Sequence, residues 1–452
     1  MKTLAIHILL VLTAVATAQE PAIVSPIQVL IDRALPGDTI IVTEGTYVGG
    51  IDISKPLAVI GINRPVLQGS GNGSCITISA SGCTVRGFTI ERSGNNLMRE
   101  DAGILVRSNG NRIEGNELRN ILFGIYLLEA DSNFIVRNTI IGRGHLDYGQ
   151  RGSGIHIWNS HENNFEGNVI RDARDGFYIQ YANRTRIDNN TVTNTRYGLH
   201  YMYADSNTFS YNRFSHNVAG AAIMYSRAIR FRHNVFSHNR GFASYGILFQ
   251  DCHDVVADSN VIADNAVGMF FEASTVNVFR HNIIAQNDVA LQIFQNSAGN
   301  LFAGNNFIDN LSPLTIVGKR TDTRWSADKS GNYWSSYAGY DLDGNGIGDI
   351  PMKIQNAFNY LEGRTPNLRL YLYSPASQAL AVAASAFPII DVNREVDEFP
   401  LVYPVDVGSM PALRMALEPE AQKPRPSFLT GAAVAAAIIG LAFVGVMQRR
   451  RK

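Results

Sequence analysis

One column of asparagine residues repeats through most of the chain and sets the repeat length of its fold. Its members are mostly 22 residues apart, and a gap of 30 residues indicates a surface insertion within one repeat. The column comprises Asn116, Asn138, Asn168, Asn190, Asn212, Asn234, Asn260, Asn282 and Asn305. A period of this length, filled with short apolar alternation and Asn or Gly corners, is typical of stacked β-coils. Because an amide both donates and accepts, asparagines stacked one rung apart can hydrogen-bond along the axis. The sequence therefore predicts an all-β solenoid.

A glycine column predicts which side chains face the core. It comprises Gly154, Gly176, Gly198, Gly220, Gly246 and Gly268. Side chains alternate along a strand, so the positions one and three residues after each glycine share a face. These positions are almost all apolar, and we expect them inside. The positions two and four residues after each glycine, or after Ala290, which replaces the glycine in the next rung, should face outward: His156, Trp158, Tyr178, Gln180, His200, Met202, Ala222, Met224, Leu248, Gln250, Phe270, Glu272, Gln292 and Phe294.

This outward set is unusually aromatic and sulfur-rich for a solvated face, and such a patch indicates a partner. We predict partner contacts at five of its members: His156, Trp158, Tyr178, Phe270 and Phe294. The alternative is that the C-terminal segments of the chain itself cover this face.

Three members of the same face could bind copper. His200 and Met202 lie on one strand, about 7 Å apart at Cα, and Met224 follows Met202 one rung later, about 4.8 Å away. Two thioethers and an imidazole form a soft site that favours Cu(I) over Mg²⁺ or Ca²⁺. The alternative is that these residues only pack against a partner.

An acidic loop near the C-terminal end resembles the first half of a calcium-binding loop. Its candidate oxygen ligands are Asp341, Asp343, Asn345 and Asp349, with Gly346 at the sixth position. The twelfth position is Met352, so the bidentate carboxylate is missing. A structural Ca²⁺ site and a metal-free turn both fit this pattern.

Composition limits the remaining classes of function. Lys+Arg and Asp+Glu both number 39, so no net field favours nucleic acid. The chain has 3 cysteines; Cys75 and Cys83 could pair, but small buried thiols are the simpler interpretation.

Both termini carry targeting signals. The first residues end in Ala16-Thr17-Ala18 and predict a secretory signal peptide. An uncharged stretch at 428–447 matches one bilayer thickness, and the basic residues after it predict a cytoplasmic tail. The predicted organisation is a signal peptide (1–18), an N-terminal cap with the first strand (19–48), a β-helix (49–310), irregular C-terminal rungs with the acidic loop (311–372), a helical and Pro-rich linker (373–427), a transmembrane helix (428–447) and a basic tail (448–452).

Several segments resemble the NosD family of periplasmic accessory proteins for nitrous oxide reductase maturation. They are Gly154–Ser160, Asp175–Gln180, Arg196–Tyr203, Asn332–Trp334 and Asp341–Gly344. The resemblance implies a right-handed parallel β-helix docked on an ABC-type permease and ATPase. It also implies a role in assembling the copper–sulfide centre, with copper received from a lipoprotein chaperone and presented to the apo-enzyme. With the predicted anchor, the protein would be periplasmic and attached to the inner membrane.

Two other functions compete with this one. Polysaccharide lyases and epimerases also use β-helices, but they need clustered carboxylates in a groove, and the outward columns contain only Glu272. Asp172 and Asp175 are interpreted as solvated corner residues. A structural surface protein is the third possibility. We therefore predict a protein that is not an enzyme.

Overall fold

Three long parallel sheets, here called A, B and C, form the body of the molecule in a computed structural model. The structure describes residues 25–241, 243–318, 321–355, 395–408 and 410–417, with Leu361, Gly363, Thr365, Leu368, Ser374, Pro375 and Ala379. Each rung gives one strand to each sheet, and the chain winds as a right-handed parallel β-solenoid. The predicted solenoid is confirmed.

The strands are short, and equivalent strands pair in register from rung to rung. Sheet A comprises Thr39–Val42, Ala58–Gly61, Thr84–Arg86, Arg112–Glu114, Phe134–Val136, Asn164–Glu166, Arg186–Asp188, Thr208–Ser210, Arg230–Arg232, Val256–Asp258, Val278–Arg280 and Leu301–Ala303. Sheet B comprises Thr46–Val48, Val66–Gln68, Thr89–Glu91, Glu117–Arg119, Thr139–Ile141, Val169–Arg171, Thr191–Thr193, Arg213–Ser215, Val235–Ser237, Val261–Ala263, Ile283–Ala285, Asn306–Ile308 and Tyr333–Trp334. Sheet C comprises Ile51–Ile53, Ile76–Ile78, Ala102–Val106, Phe123–Leu128, Ile155–Trp158, Asp175–Gln180, Tyr197–Met202, Ala219–Arg227, Tyr245–His253, Val267–Glu272, Val289–Phe294 and Ser312–Val317. Met352–Lys353 and Val396–Asp397 form a small antiparallel pair, Tyr148–Gln150 is a 3-10 turn, and the helices are α1 (Pro26–Arg33) and α2 (Met410–Leu417).

The asparagine column forms a buried ladder between sheets A and B. Within it, Nδ2 of Asn212 donates to Oδ1 of Asn234 at 2.9 Å and to the carbonyl of Ile187 at 2.7 Å. The residue before each ladder asparagine takes a left-handed conformation, as Tyr211 does with φ 57°. The ladder ends on Asp397, whose Oδ2 accepts from the backbone N–H of Asn332 at 2.8 Å. A carboxylate from a distant segment thus takes the place of the next amide.

Two further asparagine ladders lie at the other corners. One includes Asn217, Asn239, Asn265, Asn287 and Asn310, and the other, which is interrupted, includes Asn111, Asn133, Asn163, Asn277 and Asn300. Sequence spacing identified only the first ladder.

The predicted inside of the solenoid is confirmed. Leu199, Tyr201 and Ile223 are 0% exposed. The glycine column is needed because the rungs approach closely there: a Cβ on Gly198 would lie 2.5 Å from the carbonyl oxygen of Gly220. The alternation of buried and outward residues therefore holds along sheet C.

Both ends of the solenoid are covered. At the N-terminal end, α1 buries Ile27 and Ile31, and Lys55 Nζ donates to the last carbonyls of the helix, including that of Ala34 at 2.8 Å. At the other end, the carboxylates of Asp397 and Glu395 accept from the indole N–H groups of Trp334 (3.0 Å) and Trp325 (2.9 Å). These two carboxylates attach the segment 395–408 to the last rungs of the solenoid.

The structure adds detail to the C-terminal part of the predicted organisation and changes one part of the predicted fold class. Part of the predicted linker, 395–408, packs into the end of the solenoid, and α2 packs on sheet B through Leu413 and Ala416. The predicted fold class included a C-terminal transmembrane helix, and this part of it is wrong. Among the residues that the structure describes, no helix is long and apolar enough to cross a membrane. The segment on which it was predicted, 428–447, and the predicted signal peptide, 1–18, lie outside those residues. The corrected fold class is a parallel β-solenoid with a helical N-terminal cap.

Candidate functional site

The outward face of sheet C carries the predicted site, and we call its outward residues from 156 to 294 the stripe. Tyr178, Met202 and Met224 are half-buried and the side chain of His200 is 12% exposed, whereas their inward neighbours are fully buried. The outward residues of the stripe are therefore partly accessible to solvent at its centre, and other segments of the chain cover its ends.

The N-terminal end of the stripe lies under the loop 92–101. Leu97 packs against the cluster of Phe123 and Tyr126, with Trp158 beside it. His156 is only 5% exposed, and its Nε2 lies 3.9 Å from Oε1 of Glu100. His156 was predicted to contact a partner; here the loop and the neighbouring rings bury it, and the partner contact stays a prediction.

The C-terminal end of the stripe lies under part of the chain beyond the last rung. Leu368 packs against the buried cluster that contains Phe270, as Phe294 and Leu248 also do, and Phe270 is only 7% exposed. The predicted partner contact at Phe270 likewise stays a prediction for a residue that the chain itself covers, and Phe294 packs against the same cluster. The alternative that C-terminal segments cover the face is thus correct for this end.

The open centre of the stripe contains the three predicted copper ligands. Met202 is the register partner of Met224, and His200 lies two residues before Met202 on the same strand. Tyr178 packs edge-on against His200, with ring centroids 4.9 Å apart. The structure thus brings all three predicted residues onto one small patch.

The ion pair of Asp175 and Arg196 contacts the imidazole of His200. Oδ1 and Oδ2 of Asp175 accept from Nε and Nη2 of Arg196 at 2.9 and 2.8 Å, and Oδ2 lies 3.2 Å from Nδ1 of His200. Burial raises the pKa of Asp175, but the hydrogen bonds from His200 and Arg196 outweigh it and hold that pKa below its ordinary value. An ionised carboxylate can only accept, so the shorter contact to Asp175 favours the tautomer with the proton on Nδ1, which leaves Nε2 of the neutral ring as the lone-pair donor; Nη2 of Arg196 also lies 3.5 Å from Nδ1.

Asp175 and Arg196 were missed in the sequence. Asp175 was taken as a solvated corner residue, yet its side chain is 0% exposed. It occupies the column just before the glycines, where its register partner is Tyr197 and the next is Ala219. A carboxylate in a column of largely uncharged residues is the signal that could have identified it, because a buried charge needs partners.

Tyrosines line the edge of the open centre. Tyr181, Tyr203 and Tyr225 are 43%, 46% and 40% exposed. Their rings stack in order, 5.5 and 5.0 Å apart, and each backbone has φ near 50° (53°, 49° and 53°). A left-handed backbone is unfavourable for bulky residues. The turn of each rung therefore imposes this conformation on the three tyrosines, and it places their rings at the surface.

The acidic loop maintains its shape through its own hydrogen bonds. Oδ1 and Oδ2 of Asp341 accept from the backbone N–H groups of Gly344 and Gly346, each at 2.8 Å, and Oδ2 of Asp349 accepts from that of Leu342 at 2.7 Å. Nδ2 of Asn345 donates to Asp343. No group of three or more His, Cys, Asp or Glu side chains in the described part of the chain is placed to hold a metal ion. These contacts favour the turn, and the calcium site stays a prediction.

Other candidate residues serve the scaffold. Cys75, Cys83 and Cys252 are buried and free, so the predicted alternative of buried thiols is confirmed. His216 and His238 stack with centroids 4.8 Å apart, and Nδ1 of His238 lies 2.5 Å from Oδ2 of Asp264.

Comparison with known proteins gives consistent relatives. The family model described as "Periplasmic copper-binding protein (NosD)" matches residues 137–339. The chain is 37% identical over 374 residues to a "Probable ABC transporter binding protein NosD" of Pseudomonas aeruginosa, covering 79% of this chain and 86% of the relative. It is 34% identical over 375 residues to the protein of the same name from Stutzerimonas stutzeri, covering 79% and 85%.

Among solved structures, the catalytic domain of an α-1,3-glucanase matches with a TM-score of 0.45 and 13% identity, covering 66% of this chain and 65% of that one. An alginate lyase from Paenibacillus matches with a TM-score of 0.38 and 18% identity, covering 52% and 91%.

Proposed function

The chain belongs to the NosD family, a family described as periplasmic and copper-binding, and we propose that it helps to assemble the copper–sulfide centre of nitrous oxide reductase. In this proposal it acts in the periplasm with an ABC-type permease and ATPase. It receives copper from a lipoprotein chaperone and presents it to the apo-enzyme. The names of both relatives connect them with an ABC transporter, and they describe a binding protein, in agreement with the prediction of a protein that is not an enzyme.

The pairing of Asp175 with His200 is the observation that carries the copper proposal. Imidazoles that bind metals usually donate their second N–H to a carboxylate, which fixes the tautomer and makes the ligand more basic. His200 has this arrangement, with Nδ1 committed to Asp175 at 3.2 Å. The free Nε2 can then join the thioethers of Met202 and Met224. Copper is cargo here, held by a soft neutral ligand set that suits Cu(I).

The position of this patch supports transfer between proteins. His200, Met202 and Met224 occupy the open rungs between the two covered ends, with the tyrosine edge beside them. An apolar and aromatic patch of this kind can dock successive partners while the ligands stay at the surface. Trp158 and Tyr178 lie at its border and are the predicted partner contacts that remain available there.

Cu(I) competition titration tests the ligand set directly. The double variant Met202→Ala, Met224→Ala should bind Cu(I) roughly tenfold more weakly or worse, as should His200→Ala. Met98→Ala is the matched control, because Met98 is 94% exposed on a different loop. Unchanged affinity in the double variant would reject these ligands.

A complementation experiment tests the role in assembly. A strain lacking the gene should export reductase without its catalytic cluster, and the intact chain should restore the cluster. The double methionine variant should restore it poorly, whereas Met98→Ala should restore it fully. Fully active reductase in the deletion strain would refute the function, even if the purified chain binds copper.

A further inference from the structure

An open cavity of about 650 Å³ lies beside the stripe, at the corner where sheet B leads into sheet C. The connection at Asn120 is short, whereas the loops of the preceding and following rungs are long. The short connection leaves a gap, and the loop 92–101 and the insertion 142–152 form its walls. This cavity is separate from His200 and its neighbours.

The insertion 142–152 is held in shape by hydrogen bonds within itself. Arg151 donates from Nε to the carbonyl of Leu146 at 2.7 Å and from Nη2 to that of Gly144 at 2.8 Å. Gly152 returns the chain to the rung at a point where a Cβ would lie 2.5 Å from the carbonyl of Leu122. The insertion is thus held in shape by its own hydrogen bonds and packs closely on the rung.

A buried guanidinium forms part of the cavity lining. Arg143 is only 9% exposed, and it crosses the gap to donate from Nη2 to the carbonyls of Ser93 (3.1 Å) and Gly94 (3.2 Å). Its Nη1 donates to Oδ1 of Asn95. All of these acceptors are neutral, and Asp101 acts on the charge of Arg143 electrostatically but is not among these hydrogen-bond partners. Burial lowers the pKa of Arg143, as expected for a cation held away from water.

Arg92 adds positive charge at the exposed rim, where His145 is also exposed, and none of the described lining residues is acidic. The nearby Asp101 already accepts from Nε and Nη2 of Arg99 at 2.5 and 3.0 Å. Asp101 and Glu91 therefore offset the charges of Arg143 and Arg92 from outside the cavity lining, and a negative group inside the cavity would pair with these guanidinium groups directly.

We propose that this cavity binds a small organic anion whose phosphate or carboxylate group lies between Arg92 and Arg143. Guanidinium groups match both kinds of oxyanion through charge-assisted hydrogen bonds. Ser93, Asn95 and Gln150 offer polar contacts for the body of the ligand, and Leu97, Leu122 and Leu146 form an apolar side. The volume is within the range of small-molecule sites.

Calorimetric titration of the full chain with citrate and with inorganic phosphate tests this site, with sodium chloride at matched ionic strength as the reference. Citrate or phosphate should bind above the chloride background, and the tighter of the two identifies the anionic group. Arg92→Gln should weaken binding by about tenfold, the value of one charge-assisted hydrogen bond. Arg33→Gln, an exposed arginine on α1, should leave it unchanged.

Arg143→Gln should also weaken binding, and its thermal melt shows whether the fold survives the loss of this bridge. Arg92→Gln keeps the test decisive if the Arg143 variant does not fold, because Arg92 is exposed. The site is rejected if neither anion exceeds chloride, or if Arg92→Gln binds as tightly as the parent chain.

Discussion

The carboxylate of Asp175 and the imidazole of His200, one rung apart, form a partly buried hydrogen bond of 3.2 Å that leaves the other imidazole nitrogen free of this contact. Arg196 holds the same carboxylate through two hydrogen bonds, at 2.9 and 2.8 Å. The scaffold therefore selects one tautomer of a candidate copper ligand. That relation leads to the first prediction.

Asp175→Asn should weaken Cu(I) binding by about 10- to 100-fold, the usual effect of removing a carboxylate behind a metal-bound histidine. The amide can no longer require a proton on Nδ1, so His200 can take the other tautomer. Competition titration measures the affinity, and NMR of the imidazole nitrogens reports the tautomer. Asp205→Asn, which removes a more exposed partner of Arg227, is the control. A variant with unchanged tautomer and affinity would show that Asp175 only supports the fold.

Asn212→Ala should lower the free energy of unfolding by about 2–4 kcal/mol, because the buried donors of Asn190 and the carbonyl of Ile187 lose a partner. Urea unfolding measures this loss. Asn164→Ala is the matched control, since Oδ1 of Asn164 is buried without a hydrogen-bond partner among the described residues. Equal losses in both variants would contradict a stabilising ladder.

Acid should destabilise the protein through His156. Burial, followed by the charge of Arg174, lowers its pKa from 6.5 to about 3. The unfolded chain therefore binds a proton below pH 6.5 that the folded chain refuses until the pH approaches 3. Stability should fall across this window by up to about 1.4 kcal/mol per pH unit from this group.

Urea unfolding at several pH values checks this effect, and His156→Phe should flatten the slope because the ring no longer titrates. His145→Gln, which removes an exposed imidazole, should keep the parent slope. A His156→Phe variant with the parent slope would assign the acid sensitivity to other groups.

Chelator should leave the thermal melt of the protein unchanged if the acidic loop is a turn. Asp341 already accepts three backbone N–H groups within the loop, those of Gly344, Asn345 and Gly346. Asp341→Asn should therefore lower the melting temperature with or without chelator. Melting curves with added EGTA or added calcium measure both effects. A rise in the melting temperature with calcium, abolished in Asp341→Asn, would restore the calcium site.

Much of the architecture could be predicted because each repeat is specified by residues close together in the sequence. The spacing of Asn190, Asn212 and Asn234 sets the rung length, and alternation after Gly198 separates Leu199 from His200. Each of these inferences needs only a short stretch of chain and the geometry of a strand. The outward position of His200, Met202 and Met224 followed from the same rule.

The sequence by itself determined the coil, its interior and the candidate ligand patch, because stacked rungs repeat the same local pattern. Tertiary structure alone decided which outward residues stay open: Glu100 lies beside His156, Leu97 packs on the neighbouring cluster with Tyr126, and Leu368 packs on the cluster with Phe270. It also decided that Asp175 is a buried support for His200 and that Asp397 ends the asparagine ladder. These contacts join segments on different rungs or far apart in the chain, and periodicity cannot predict them because burial there depends on how irregular loops pack.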